Sequence, residues 1–493
     1  MPLWLIQFAE LPGRRVKNGY DGARHCFFSR MKDLTQGSVT RHILQLSVFM
    51  AVSMVFQTLY YLVDLYFVSR LGKEAIAGVG LAGNLMFVVL GLTQMLGVGT
   101  STLISHAAGR KDQLQAQHVF NQSLILSLLV GAAVVLLGYA FRGPYSRWLG
   151  ADAQTVRNGA AYLLWFIPAL GLQFALVSMA SALRGTGIVK PTMMVQVVTV
   201  VLNILLAPVL IAGWITHRPL GVAGAALATL IGVGFGVLLI TAYFLKLEKY
   251  VSFDRSQWRP QAQTWKQMIN IGLPAGGEFA LVSVYMGLVY WIIRNLGAAA
   301  QAGFGIGGRV MQSFFLPVIA ISFAASPVAG QNFGARQGSR VRQTFRSAAG
   351  ICAGVMLVIT LLCQVSPLTL VRFFSREPQV VAFGAEYLRI VSWNFVAIGV
   401  VFTSSGMFQA LGNTWPPLAS SALRLLIFAA PAAALSLRPG FAIREVWYLS
   451  VATVAIQAIV NLVLLNREFR RKLNFGQAAY VAESPAASVA GSQ

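Results

Sequence analysis

Residues 43–69 read ILQLSVFMAVSMVFQTLYYLVDLYFVS, and Asp64 is the one formal charge among them. Roughly 20 apolar helical residues cross about 30 Å of hydrocarbon. This stretch is long enough to do so, with its carboxylate held inside the run. Equivalent runs recur along the chain, and twelve spans are predicted: approximately 43–69, 76–107, 118–141, 158–183, 190–212, 221–245, 267–293, 301–331, 345–371, 382–410, 415–436 and 446–466. Pro168, Pro208, Pro317, Pro327 and Pro431 interrupt several of them. Neighbouring helices can re-satisfy the backbone groups that a proline frees.

Composition agrees with an all-α polytopic membrane protein. Of 493 residues, 56% are hydrophobic and 11% charged, against roughly 25% charged in an average soluble domain. The net charge of +23 would suggest nucleic acid in a soluble protein. Here the basic residues concentrate in short connections between apolar runs, which sets membrane orientation and excludes nucleic acid as partner. Lys and Arg on the side that holds the N-terminus outnumber those opposite by two to one. Both termini are therefore expected in the cytoplasm, and the chain in the inner (cytoplasmic) membrane as a multi-pass protein. Residues 1–30 are polar and basic with no signal-peptide h-region. Met31, opening MKDLTQGSVTRHIL, is the expected native start, and 1–30 a non-native or disordered extension. Cys26, Cys352 and Cys363 have neither metal-like nor paired spacing and read as structural thiols.

The spans fall into two similar halves. Sliding the chain along itself until Gly109 falls on Gly334 also places Leu71-Gly72 on Leu296-Gly297, Gly159 on Gly384, and Gly187 with Pro191 on Gly412 with Pro416. Seven of the sixteen glycines between 71 and 191 land on glycine, where composition alone predicts about one or two. Six spans is an even number, so the halves form a parallel repeat about an axis along the membrane normal. The expected division is 31–246 as the N-lobe, 247–265 as a cytoplasmic linker, 266–470 as the C-lobe, and 471–493 as a cytoplasmic tail. A two-lobed bundle with a central cleft suits alternating access by a monomer.

Asp64 and Glu278 are the acids deepest within predicted spans, and an intramembrane acid is by default a functional candidate. The alternative for each is a buried structural hydrogen bond. Ser53, Gln57, Tyr61 and Asp64 recur at three- and four-residue spacing, one polar stripe on the first helix. Thr192, Gln196, Thr199 and Asn203 make a second stripe on the fifth. Asn203 offers a neutral carbonyl oxygen, suited to Na⁺ or to a protonated carboxyl. At the equivalent places of the second half stand Pro417, Ser421, Arg424 and Phe428, so the two lobes do not share this chemistry. The cation site is expected in the first lobe, where burial disfavours a charged carboxylate and water or a cation restores it. Glu278 is a candidate second-lobe charge or an attractor of cationic substrate. Arg309 and Arg424 read as structural or gating charges, Met50, Met54, Met193 and Met194 as packing rather than a drug pocket, and His106 and His118 as interfacial. There is no P-loop, HExxH, Cys/His cluster or closely spaced carboxylate pair. No enzyme and no cofactor is expected, only Na⁺ or H⁺ as a coupling ion, with no metal beyond possible Na⁺ at Asp64 and Asn203.

Four stretches in order give the chain a family resemblance: QTLYYLVDLYFVSRLGKEAIAGVGLA, LRGTGIVKPTMMVQVVTVVLNILLAPVLI, GVAGAALAT and FQALGNTWPPLASSALRLLIFAAP. Residues 31–470 resemble the multidrug and toxic compound extrusion (MATE) family. The resemblance implies export of drugs, toxins or organic metabolites, often cationic, in exchange for Na⁺ or H⁺. It places Asp64 at the family's first-helix acid, Asn203 at its fifth-helix Asn, and Thr229 in the sixth-helix segment. Many relatives carry an Asp four residues after that Asn, where this chain has Ala207. The NorM-like branch uses acids on helices 7 and 10. Here the usual helix 7 position is Val282, one turn beyond Glu278, and helix 10 carries no acid in WNFVAIGVVFTSSG. The resemblance therefore leaves the coupling ion open.

The alternative within the wider superfamily is a flippase for lipid-linked oligosaccharide, which favours a cationic central cavity. A membrane-embedded transferase would need an acid or His cluster near one interface, and the sequence shows none.

Overall fold

The computed structural model describes residues 31–150, 152–214 and 219–475. The expected extension 1–30, with Cys26, and most of the expected tail lie outside the described residues. Among the described residues twelve helices are long and apolar enough to cross a membrane: α1 Val39–Ser69, α2 Lys73–Gly109, α3 Gln113–Leu149, α4 Ala153–Gly185, α5 Lys190–Ile211, α6 Gly221–Lys246, α7 Ala262–Ile293, α8 Ala298–Gly334, α9 Gly338–Val365, α10 Pro378–Ala410, α11 Trp415–Ser436 and α12 Ile443–Lys472. All twelve predicted spans are present, and two differ in shape. The span expected at 345–371 stops at Val365, and Pro367 opens a separate short helix, Pro367–Arg372, because proline cannot continue the hydrogen-bond ladder. Within α10 a 3-10 turn at Ser392–Asn394 breaks the α-helical ladder. Several helices also outrun their apolar stretches: α3 begins at Gln113 and α12 continues to Lys472. Their polar ends need no lipid, only caps. Asp112 accepts from the Gln115 amide and Asp152 from the Gln154 and Thr155 amides, satisfying donors at the helix starts.

The helix crossings carry the internal repeat. In the first half, Gly78 of α2 lies against Asn158 and Gly159 of α4. In the second, Gly303 of α8 lies against Val380 and Phe383 of α10, and Gly384 faces the Gly303 carbonyl. Only residues without a Cβ allow backbones to approach so closely in a bilayer. The turns repeat too: Gly72 and Gly297 precede α2 and α8 at φ +104° and +89°, a region open to glycine.

The first six helices form one lobe and the last six the other, with α1 shared between their cores. Its first half, including Ile43, Leu46 and Met50, packs with Val318, Ile321 and Ala325 of α8 and with Cys352 and Met356 of α9. Its end, at Val68, packs with Leu163, Phe166 and Ala207 of the first lobe. Leu59, Leu62, Leu137, Leu357 and Leu361 are among the large apolar side chains left on the outside, where lipid accepts them.

The lobes meet at one end. The hydrogen bonds that join the first six helices to the last six gather in the half of the bundle nearest the termini. Thr102 donates to the Gln409 carbonyl at 3.0 Å, and His106 Nε2 lies 2.6 Å from the Ala410 carbonyl. His118 Nε2 lies 3.2 Å from Thr264 Oγ1. The segment before α1 is stitched across the same end. The Lys32 amide donates to the Thr186 carbonyl at 3.2 Å, and the Leu34 amide to Gln331 Oε1 at 3.0 Å. Gln331 donates in turn to the Gly185 carbonyl at 3.1 Å, and Asn332 to the Leu34 carbonyl at 3.2 Å. The linker after α6 is held rather than free: the Trp258 indole and the Asp254 amide donate to Asn121 Oδ1, each at 3.1 Å.

Candidate functional site

A cavity of about 170 Å³ lies between the lobes, lined by α1, α4, α5 and α8. Its polar lining is Ser53 and Gln57 of α1, Arg184 of α4, and Thr192 and Gln196 of α5. Met50, Met54, Phe49 and Phe323 supply apolar wall. Met50 and Met54 thus reach the cavity while also packing, whereas Met193 and Met194 do not line it. Among the described residues Arg184 is the only charged one in the lining. It extends one residue past the apolar run predicted for α4, so its charge reads in sequence as part of a connection. In the fold Gly185 is still helical and packs against Ser101 and Ile104, and this close packing turns Arg184 inward.

The two predicted stripes each divide. On α1 Ser53 and Gln57 face the cavity, while Asp64, two turns on, stands off its wall. On α5 Thr192 and Gln196 face the cavity, while Thr199 and Asn203 are buried against α6. The glycines Gly232 and Gly236 admit them: a Cβ at Gly236 would stand 2.9 Å from Thr199 Oγ1. A period of 3.6 residues drifts around a straight helix, so a long polar stripe serves two compartments. Tyr61, expected on the Asp64 face, is 40% exposed instead.

Away from the cavity stand further unmet polar atoms. Asp64 Oδ1 is buried without a hydrogen-bond partner, and so are both amide atoms of Asn203. No hydrogen bond therefore joins the two residues. Thr229 is tied elsewhere: its hydroxyl lies 2.5 Å from that of Tyr60, one turn before the acid. The Thr199 hydroxyl donates to its own helix, at the Val195 carbonyl. Tyr60 and Tyr162 lie within electrostatic reach of the Asp64 carboxylate. Tyr60 escaped the sequence reading, although its four-residue spacing from Asp64 was the available signal. Leaving such groups unpaired costs about 1–3 kcal/mol each, which a packed core avoids and a functional site tolerates. The donor set, a carboxylate with an amide, suits a proton or a hard cation. Among the described residues no cluster of three or more His, Cys, Asp or Glu could hold a metal.

In the second lobe, Glu278 is half-buried and accepts from Ser405 Oγ at 3.4 Å. The Arg424 guanidinium lies 4.9 Å from the Tyr285 ring centre, and its Nε is buried without a hydrogen-bond partner. Arg309 is exposed. Among the described residues none of Asp64, Glu278, Arg309 or Arg424 forms an ion pair. His106, expected to be interfacial, joins the lobes through Ala410 and packs on Phe333, ring centres 5.0 Å apart.

Comparison with known proteins agrees with this architecture. The MatE family profile matches residues 50–209 and 274–435. A "Multidrug export protein MepA" of Staphylococcus haemolyticus is 26% identical over 381 residues, covering 77% of this chain and 83% of that protein. A "FAD transporter" of Shewanella oneidensis is 25% identical over 382 residues, covering 76% and 83%. A solved structure described as the outward-facing conformation of a multidrug resistance MATE family transporter of the MOP superfamily superimposes with TM-score 0.83. It is 25% identical and covers 91% of this chain and 99% of that one. With its family segments repeated in both halves and its two six-helix lobes, this chain belongs to the MatE family of membrane transporters.

Proposed function

We propose that this chain is an antiporter that exports drugs, toxins or organic metabolites in exchange for H⁺ or Na⁺, and that it works as a monomer in the inner membrane. The observation that carries the reading is the one-sided closure of the lobes. Their mutual hydrogen bonds gather at the end that holds the termini, and the cavity adjoins that closure through Arg184, next to Gly185. The two-to-one excess of Lys and Arg supports a cytoplasmic location for that end. This structure is then the state closed to the cytoplasm. Asp64 is the coupling group, and Asn203 of α5 is a second candidate ligand. A carboxylate that gains or loses charge in a desolvated compartment changes the cost of burying it, and that change biases one access over the other. Multidrug export by the Staphylococcus relative, as its name states, supports small-molecule cargo.

A second reading has one observation in its favour. The single charge on the cavity wall is positive, which also suits a flippase for a lipid-linked pyrophosphate. Neither Asp64 nor Glu278 lines the cavity to draw a cationic cargo.

Dye efflux from vesicles, driven by Na⁺ and pH gradients in turn, tests the exporter. One gradient should support efflux, and Asp64→Asn should abolish it while the protein still inserts. Equal efflux with all gradients collapsed would refute secondary transport. Translocation of lipid-linked oligosaccharide without dye efflux would establish the flippase instead.

A further inference from the structure

We infer that Arg184 is the anion-recognition group of the central cavity, and that the cargo carries a carboxylate or phosphate beside an apolar body. The inference deepens the exporter reading and rests on it. Arg184 is half-buried at the junction of the main cavity with a smaller pocket lined by Gly97, Val98, Ser101, Thr102, Ser326 and Gln409. A guanidinium has five N–H donors. Here Nη2 donates to Ser181 Oγ at 2.8 Å, and the Phe323 ring centre lies 5.7 Å from Cζ. Among the described residues no Asp or Glu forms an ion pair with it. Thr192 Oγ1, on the cavity wall, is likewise buried without a partner.

Ser53, Gln57 and Gln196 complete a wall of neutral hydrogen-bonding groups around one fixed positive charge. A partly desolvated cation without a countercharge is costly, so a ligand that brings the anion gains where a cation would be repelled. The planar fork of arginine matches carboxylate and phosphate oxygens in pairs. Phe49, Met50, Met54 and Phe323 offer the other end of the ligand an adaptable apolar surface.

The test is equilibrium binding to the full chain in phosphatidylcholine nanodiscs, with no ion gradient. Two xanthene dyes of similar size serve as probes, anionic carboxyfluorescein and a cationic rhodamine ethyl ester, read by fluorescence anisotropy. Carboxyfluorescein should bind at least about tenfold more tightly, and inorganic phosphate should compete. Arg184→Gln should weaken carboxyfluorescein by about tenfold and tighten the rhodamine, with Arg184→Lys intermediate. Should Arg184→Gln fail to fold, the wild-type preference and a severalfold loss in Thr192→Val decide the matter. Competition by phosphatidylglycerol added to the nanodiscs would identify a lipid phosphate as the natural source of the anion, and its failure a soluble one. Rhodamine binding as tightly as carboxyfluorescein to the wild type overturns the inference. Equal weakening of both dyes by Arg184→Gln and Arg184→Lys also overturns it, because a merely structural arginine behaves so. Failure of gradient-driven efflux would refute the exporter without moving this preference, and loss of the preference would leave efflux to be judged by itself.

Discussion

Gly109 and Gly334 occupy equivalent places in the two halves and hold each other's helix at contact distance. Gly109 of α2 packs on the Gln331 carbonyl of α8, and Gly334 of α8 packs on the His106 carbonyl of α2. His106 and Gln331 are themselves equivalent under the same repeat, so the contact is reciprocal about the axis that relates the lobes. A side chain at either glycine would meet backbone, which cannot move aside as a flexible side chain can.

Gly109→Leu, and Gly334→Leu equally, should therefore open the closed end. Overpacking of this kind costs about 1–3 kcal/mol. With cysteine placed at Ser326 on the pocket wall, labelling by an impermeant thiol reagent from the terminal side should rise severalfold over the parent. An unchanged labelling rate would show that the glycines do not hold the closure.

His106→Leu removes the bond to the Ala410 carbonyl, which joins α2 to α10. The net loss should be about 1 kcal/mol, about fivefold in the balance between the two accesses. Single-molecule distances between labels at the two terminal ends should report this as a larger open fraction.

Tyr60→Phe and Thr229→Val remove the two sides of one hydrogen bond. A double-mutant cycle on unfolding in micelles should show a coupling of about 1 kcal/mol. Neither change removes the carboxylate, so coupled efflux should fall but persist in both, in contrast to Asp64→Asn. Loss as complete as in Asp64→Asn would make Tyr60 itself part of proton transfer.

Gln331→Leu leaves the Leu34 amide and the Gly185 carbonyl without the partner that now satisfies both. Each buried orphan costs about 1–3 kcal/mol, so the chain should unfold at lower denaturant and the Leu34 amide should exchange faster. Gln331→Glu keeps an acceptor for Leu34 but loses the donor to Gly185, and should fall between.

The same segment has a defined pH response. Burial raises the Asp33 pKa, but the Thr35 hydroxyl and amide, with Lys111 and Arg340, outweigh it and hold the carboxyl below its ordinary 3.8. A depressed carboxylate stabilises the fold above its unfolded value and loses that contribution as pH falls through its folded value. Proteolysis at residues 32–37 should therefore be flat from about pH 5 upward and rise only below about pH 4. In Asp33→Asn this acid-induced rise should disappear.

The twelve spans, the parallel repeat and the presence of a carboxylate within the first span were legible in the residues alone. Spans follow from run length, because the bilayer sets one thickness and exposed backbone in lipid is too costly to permit other structure. The repeat follows from glycines such as Gly78 and Gly303, whose place in a crossing leaves no room for substitution. Asp64 follows from charge in an apolar run, which needs no knowledge of its neighbours. What the periodicity could not resolve is which side of a stripe meets which compartment. Ser53 and Gln57 belong to the cavity, Asp64 to the lobe interior, and Tyr61 to neither, because helix phase is set by the packing of α1 against both lobes. Arg184 lay beyond reach for the same reason. A basic residue at the end of an apolar run reads as an interfacial charge, and only the packing of α4 on α2 turns it into the cavity. The closed end was equally hidden: Leu34 meets Gln331, and His106 meets Ala410, from opposite halves of the chain. Local chemistry determined the elements of this protein, and long-range contact alone decided where its charges point.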